Sequence, residues 1–140
     1  MVNLQIDTGV VEYRLNNKVS IWLNPADPAF VKRLLERFTA LEQEDKAWRE
    51  RINALEDPAA VMAAYDEGDA LFRRALDDIL GDGVCKALLG STSVLAFAEG
   101  APLWMNILLA IMDIVDEAVT AQQDATNPKL EYYLKKYRKK

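Results

Sequence analysis

The sequence predicts a mainly α protein, a bundle of about four to five helices with a short β-hairpin at its N-terminal end. Three observations lead there. Apolar residues recur at steps of three and four over most of residues 28–125. Residues 10–23 instead alternate apolar with polar side chains, and glycine and proline fall mainly at the joints between patterned stretches. At 140 residues, 51% hydrophobic and 28% charged, the chain fits one domain that buries roughly two-thirds of its unfolded surface. That domain is expected over residues 1–128, followed by a basic tail at 129–140.

The hairpin comes from two runs rich in β-branched and aromatic residues, Val10–Leu15 and Val19–Leu23, which flank Asn16-Asn17, a pair tolerant of left-handed turn geometry. Val11, Tyr13 and Leu15 share one face of the first run against Glu12 and Arg14. In the second, Val19, Ile21 and Leu23 oppose Ser20 and Trp22. Two strands alone are marginally stable. The hairpin must therefore lie on the helices, pair with a third short strand at Leu4–Ile6, or add to a sheet in another copy.

Asp27 is an N-cap residue and Pro28 suits a first helical position. From there Val31, Leu34, Phe38, Leu41, Asp45, Trp48, Ile52 and Leu55 form a heptad stripe with one charged member. At Asp45 the helix leaves the core, breaks, or makes a register-setting polar contact. Asp57-Pro58 opens a second helix with Val61, Met62, Tyr65, Phe72, Ala75, Leu76 and Ile79 on its stripe. Gly68 inside it marks a close backbone approach or a kink.

Gly81 stops that helix, and residues 81–104 hold four of the six glycines and the lone cysteine. They read as a corner: a turn at Gly81–Gly83, a short helix at Val84–Leu89, a stop at Gly90, and another short helix at Ser93–Glu99. After Pro102, the apolar residues Leu103, Trp104, Ile107, Leu108, Ile111, Val115 and Val119 mark a last long helix to about Ala125. No Gly-Lys-Ser/Thr run precedes a helix, so the glycines do not form a phosphate loop.

Residue types restrict the chemistry. The chain has no histidine, which removes the commonest general base and transition-metal ligand together. Cys85 lies among Val84, Ala87 and Leu88 with no histidine to activate it, and reads as a packing residue. Asp113, Asp116 and Glu117 can share a helix face, but without a Glu-x-x-His pattern or a calcium loop they read as a solvated acidic face. No catalytic, cofactor or metal residues are expected. No basic-then-apolar leader is seen and no apolar run is long enough to span a bilayer, so a cytoplasmic setting without membrane contact is expected.

The formal net charge is −5, yet the last twelve residues carry six Lys/Arg against one Glu, which leaves −10 on the first 128. An acidic body repels nucleic acid and anionic membrane. The tail places Tyr132, Tyr133 and Tyr137 among lysines, and reads as a solvated, partly helical end, a docking peptide or a nucleic-acid contact. Trp22, Trp48 and Trp104 suit core or interface packing, and Trp48, set among Lys46, Arg49, Glu50 and Arg51, is the one expected to face a partner.

The N-terminal hairpin running into Asn24–Val31, the long charged helix, the corner DGVCKALLG at 82–90 and APLWMNILLAIMD at 101–113 together resemble the small tail assembly chaperones of tailed phages and prophages of Gram-positive bacteria. The resemblance covers residues 4 to about 120. It implies a helical, non-enzymatic protein of the bacterial cytoplasm that binds the tape measure protein, keeps its apolar helices in solution and assists recruitment of the tail tube protein. The expected surface for a client or for a homo-oligomer takes in Phe38, Leu41, Trp48, Ile52, Trp104 and the tail tyrosines Tyr132, Tyr133 and Tyr137. A phage structural connector, tail completion or adaptor protein forming a homo-oligomer is the alternative.

Overall fold

Strands β1 (Val11–Leu15) and β2 (Val19–Leu23) pair antiparallel in a computed structural model that describes residues 1–138. Val11 stands opposite Leu23, Tyr13 opposite Ile21 and Leu15 opposite Val19. Asn16 and Asn17 take φ of 50° and 57°, the left-handed region that asparagine enters more readily than most residues. The Lys18 N–H donates to the Leu15 carbonyl at 2.9 Å and closes the turn. Ile21 and Leu23 are buried while Trp22 faces outward, as the alternation requires. Of the placements open to the hairpin, it lies on the helices.

The third strand at Leu4–Ile6 does not form, and both residues are exposed. Beyond Leu23 the chain turns through Asn24-Pro25 into the first helix, and Pro25 has no N–H to offer a ladder. Asn24 finishes that end of the hairpin. Its Nδ2 donates to the Thr8 carbonyl at 3.0 Å and its Oδ1 accepts from the Ala26 N–H at 2.9 Å.

Helices α1 (Pro28–Asn53) and α2 (Pro58–Leu80) begin alike: Asp27 accepts from the Ala29 N–H at 2.9 Å, and Asp57 from the Ala59 N–H at 3.1 Å. Each aspartate satisfies one of the amide donors a helix start leaves open, and proline occupies a first-turn position that needs none. Arg37 pairs with Asp78 and Arg51 with Glu67, so the two helices run antiparallel. Helix α1 neither leaves the core nor breaks at Asp45, because Trp48 beyond it is buried. The Asp45 carboxylate is neutralised within its own helix by Arg49 at 2.8 Å.

The buried line of α2 is Ala64, Gly68, Phe72, Leu76 and Leu80, rotated from the expected stripe, and Met62 and Tyr65 are exposed. Small residues at 64 and 68 explain the rotation. The Trp48 indole lies against them and donates its N–H to the Ala64 carbonyl at 3.0 Å. A Cβ on Gly68 would stand 2.7 Å from the indole nitrogen. Gly68 thus serves close approach.

Helix α3 (Val84–Leu89) follows the turn at Gly81–Gly83. The helix expected at Ser93–Glu99 is absent, and Phe97–Ala98 (β3) and Ala101–Pro102 (β4) form a miniature hairpin. The reason is long-range. Asp69 accepts from the Val94 N–H at 2.8 Å, and Arg73 donates to the carbonyls of Gly90 at 2.9 Å and Thr92 at 2.6 Å. Carbonyls that a local helix would use are thus taken elsewhere, Thr92 by Arg73, Val94 by the Trp104 N–H and Ala96 by the Leu103 N–H.

Helix α4 (Leu103–Asp124) enters the core at once. Trp104 is fully buried, its ring centroid 5.9 Å from that of Phe38 on α1 and 5.6 Å from that of Phe72 on α2. Leu108 and Ile111 continue the buried line; from Met112 onward no residue of α4 is buried. Helix α5 (Pro128–Tyr137), capped by Asn127, ends the described chain.

Gly68→Ala gains about 1 kcal/mol of helix propensity but drives a methyl into Trp48. The expected net result in urea unfolding is a loss of about 1–2 kcal/mol. Unchanged or raised stability would mean that the indole moves aside at little cost.

Candidate protein-interaction surface

The structure divides the residues expected at an interface. Leu41, Trp48 and Trp104 are buried in the core and are corrected as contact residues. Trp48 fails as the partner-facing tryptophan because its indole turns inward to Ala64, with Tyr65 edge-on at 4.9 Å. The Arg49 guanidinium covers it, 5.7 Å from the Trp48 ring and 4.8 Å from the ring of Phe97. Phe38 and Ile52 are half-buried and pack against the core. Tyr132, Tyr133 and Tyr137 are exposed on α5. That helix is capped by Asn127, whose Oδ1 accepts from the N–H groups of Lys129 and Leu130 at 3.0 and 3.1 Å. Lys139 and Lys140 of the basic tail lie outside the described residues.

Two accessible surfaces carry apolar groups. The first is a groove of about 330 Å³ between the hairpin tip, α3 and the first half of α4, with Leu15, Leu88, Leu89, Leu103, Ile107 and Ala110 along it. Part of its polar rim is engaged internally. Asn106 Nδ2 donates to the Ala98 carbonyl at 2.7 Å, and Arg14 reaches the Ser20 hydroxyl at 3.2 Å and the Asn17 carbonyl at 3.4 Å. With those donors occupied, the groove offers mainly apolar contact, the chemistry that accepts one face of an amphipathic helix.

The second is a cleft where Val10, Trp22, Phe30, Arg33 and Ile79 meet. Trp22 is 65% exposed there, and exposed tryptophans are enriched among residues that anchor partners. The signal for Trp22 was its position on the polar side of an alternating strand. The groove had no comparable signal, since its residues come from three elements distant in sequence.

The corner around Cys85 is structural. Cys85 is buried, and its thiol is pushed up from 9.0 to about 12 by burial first, then by the hydrogen bond and charge of Asp77. Asp77 itself caps α3 from the neighbouring helix, accepting from the Gly83 and Cys85 N–H groups at 3.0 Å each. A thiol held protonated is a poor nucleophile. Asp113, Asp116 and Glu117 are exposed on α4. Among the described residues no group of three or more Cys, Asp or Glu could hold a metal ion, and no helix is long and apolar enough to cross a membrane.

Nothing matches this chain among protein-family models, curated proteins or solved structures.

Because the Cys85 pKa is raised on folding, the protonated thiol favours the folded state fully below pH 9.0, and that contribution is lost as pH rises toward about 12. Cys85→Ser removes the buried thiol and should flatten this alkaline loss of stability. In the wild type, a thiol reagent at neutral pH should label Cys85 far more slowly than in the urea-unfolded chain; equal rates would contradict its burial.

Proposed function

We propose that this protein is a non-enzymatic tail assembly chaperone that holds apolar helices of a tape measure protein and assists tail tube assembly. The observation that carries this reading is the groove of Leu15, Leu88, Leu89, Leu103, Ile107 and Ala110, with the Arg14 and Asn106 side chains on its rim bonded within the fold. A helix presenting apolar residues at steps of three and four can exchange water for these side chains, gaining about 25 cal/mol per Å² of apolar surface covered. The remainder of the molecule suits a holding role. Its first 128 residues carry −10, and like charge keeps complexes apart after the client's apolar surface is covered. Such holding requires no bond to be made or broken, in keeping with a chain that lacks histidine.

Co-expression with the tape measure protein encoded beside it, followed by pull-down and light-scattering mass after size exclusion, tests the reading. The client should become soluble only in this protein's company and co-elute with it. Leu89→Asp and Ile107→Asp, both at half-exposed positions, should lower recovery of client by about tenfold or more, corresponding to at least about 1.4 kcal/mol of binding, with the helical circular dichroism unchanged. A client that stays insoluble while this protein alone forms a closed ring would instead favour a structural connector.

A further inference from the structure

Helix α5 carries a largely exposed apolar stripe. Leu130, Tyr133, Leu134 and Tyr137 stand at i, i+3, i+4 and i+7, the spacing of one helix face. Only Leu134 is even half-buried. Lys129 and Lys136 lie along one edge of that face, and Glu131, Lys135 and Arg138 share the other side of the helix. Tyr133 and Tyr137 are stacked, with centroids 6.0 Å apart and planes 9° from parallel.

The second half of α4 is its complement. From Leu103 to Asp124 the helix has no Lys or Arg, and its acids are Asp113, Asp116, Glu117 and Asp124. Ala118, Ala121 and Gln122 line a cleft of about 750 Å³ shared with Val11 and Tyr13 of β1 and with Asp7. Glu117 and Asp124 lie one helical turn to either side of Ala121. The cleft also takes in the polar Thr8, Asn24, Gln122 and Asn127, so its apolar surface is the strip of Val11, Tyr13, Ala118 and Ala121, with Glu117 and Asp124 along one edge of α4. Helix α5 presents bulky apolar side chains with Lys129 and Lys136 along one edge.

The chain does not close this pair on itself. Ala125 leaves α4 with φ −73° and ψ 147°, and Asn127 enters α5 with φ −115° and ψ 107°. Both are extended, and residues 125–127 include no left-handed residue of the kind that commonly ends a helix in a tight reversal. Asn127 itself lines the mouth of the cleft, so α5 starts beside the cleft without entering it.

We propose that α5 of one copy docks in the α4 cleft of a second copy, reciprocally, so that two chains exchange their C-terminal helices. Exchange of an identical element over an extended hinge is a low-cost route to a two-fold dimer. Tyr133 and Tyr137 fill the space above Ala118 and Ala121, and Lys129 and Lys136 meet the acids of the partner's α4. This inference does not depend on the client-binding reading, since the groove for the client lies on the other half of α4.

Charge reversal on the full-length chain tests it. Wild type should run by light scattering at twice the 15.8 kDa chain mass and dissociate as salt is raised. Lys129→Glu/Lys136→Glu makes α5 acidic against an acidic cleft, and Glu117→Lys/Asp124→Lys makes the cleft basic against a basic α5. Each variant alone should fall to the monomer mass. An equimolar mixture should recover the doubled mass, because each variant's α5 then meets a cleft of opposite sign. All four positions are exposed, and circular dichroism checks that each variant is folded. A wild type that stays monomeric, variants that keep the doubled mass, or a mixture that stays monomeric would each overturn the proposal.

Discussion

The burial of Trp104 between Phe38 and Phe72 is the constraint from which most of the architecture follows, because it is where α1, α2 and α4 meet. An indole of that size, with no exposed surface, has to be delivered by backbone whose position is already set. Two bonds set it: the Leu103 N–H donates to the Ala96 carbonyl at 2.8 Å and the Trp104 N–H to the Val94 carbonyl at 3.0 Å. Segment 91–102 can therefore be regarded as the device that aims α4. Its irregular shape, with Glu99 and Gly100 both at positive φ, follows from that task.

One face of α2 holds the device in place. Asp69, Arg73 and Asp77 are spaced four residues apart, so they form a polar row along the helix. Asp69 and Arg73 bond each other at 3.0 Å and share the backbone groups of Gly90, Thr92 and Val94. Asp77 takes the open amides at the start of α3. The glycine-rich stretch that invites comparison with a catalytic loop is a corner whose polar groups are satisfied by this row. Bonds between charged side chains and partly sheltered amides are worth roughly twice neutral ones, which explains how a stretch so poor in regular structure stays in one conformation.

Local chemistry was legible and long-range chemistry was not. The hairpin could be read because Asn16-Asn17 and the alternation of Val19, Ser20, Ile21 and Trp22 act within a few residues. The starts of α1 and α2 could be read because Asp27-Pro28 and Asp57-Pro58 act on the adjacent amides. The face of α2 was misjudged for a physical reason: Ala64 and Gly68 contribute little hydrophobicity but allow the Trp48 indole to reach the helix surface, so the buried line runs through residues that a search for large apolar side chains passes over. The absence of a helix at 93–99 was hidden because Asp69 and Arg73, 17 to 25 positions before the groups they bond, hold the backbone that enters this segment. At the candidate surface, charged neighbours in sequence point to an outward Trp48, yet helix geometry lets its indole face inward while Arg49 lies over it. The apolar groove joins Leu15, Leu88 and Ile107, which only the folded chain brings together.

The two halves of α4 have different surroundings, and this separates the two proposed surfaces. Leu103, Ile107 and Ala110 face the groove, while Ala118 and Ala121 face the cleft beside β1. At 1.5 Å per residue, Ile107 and Ala121 are about 20 Å apart along the helix, so a tail docked in the cleft leaves the groove open. A pair of chains joined through α5 then carries two grooves at a fixed separation. For a client with apolar faces repeated along a long helix, the second contact becomes intramolecular once the first is made, and affinity rises without any new kind of contact.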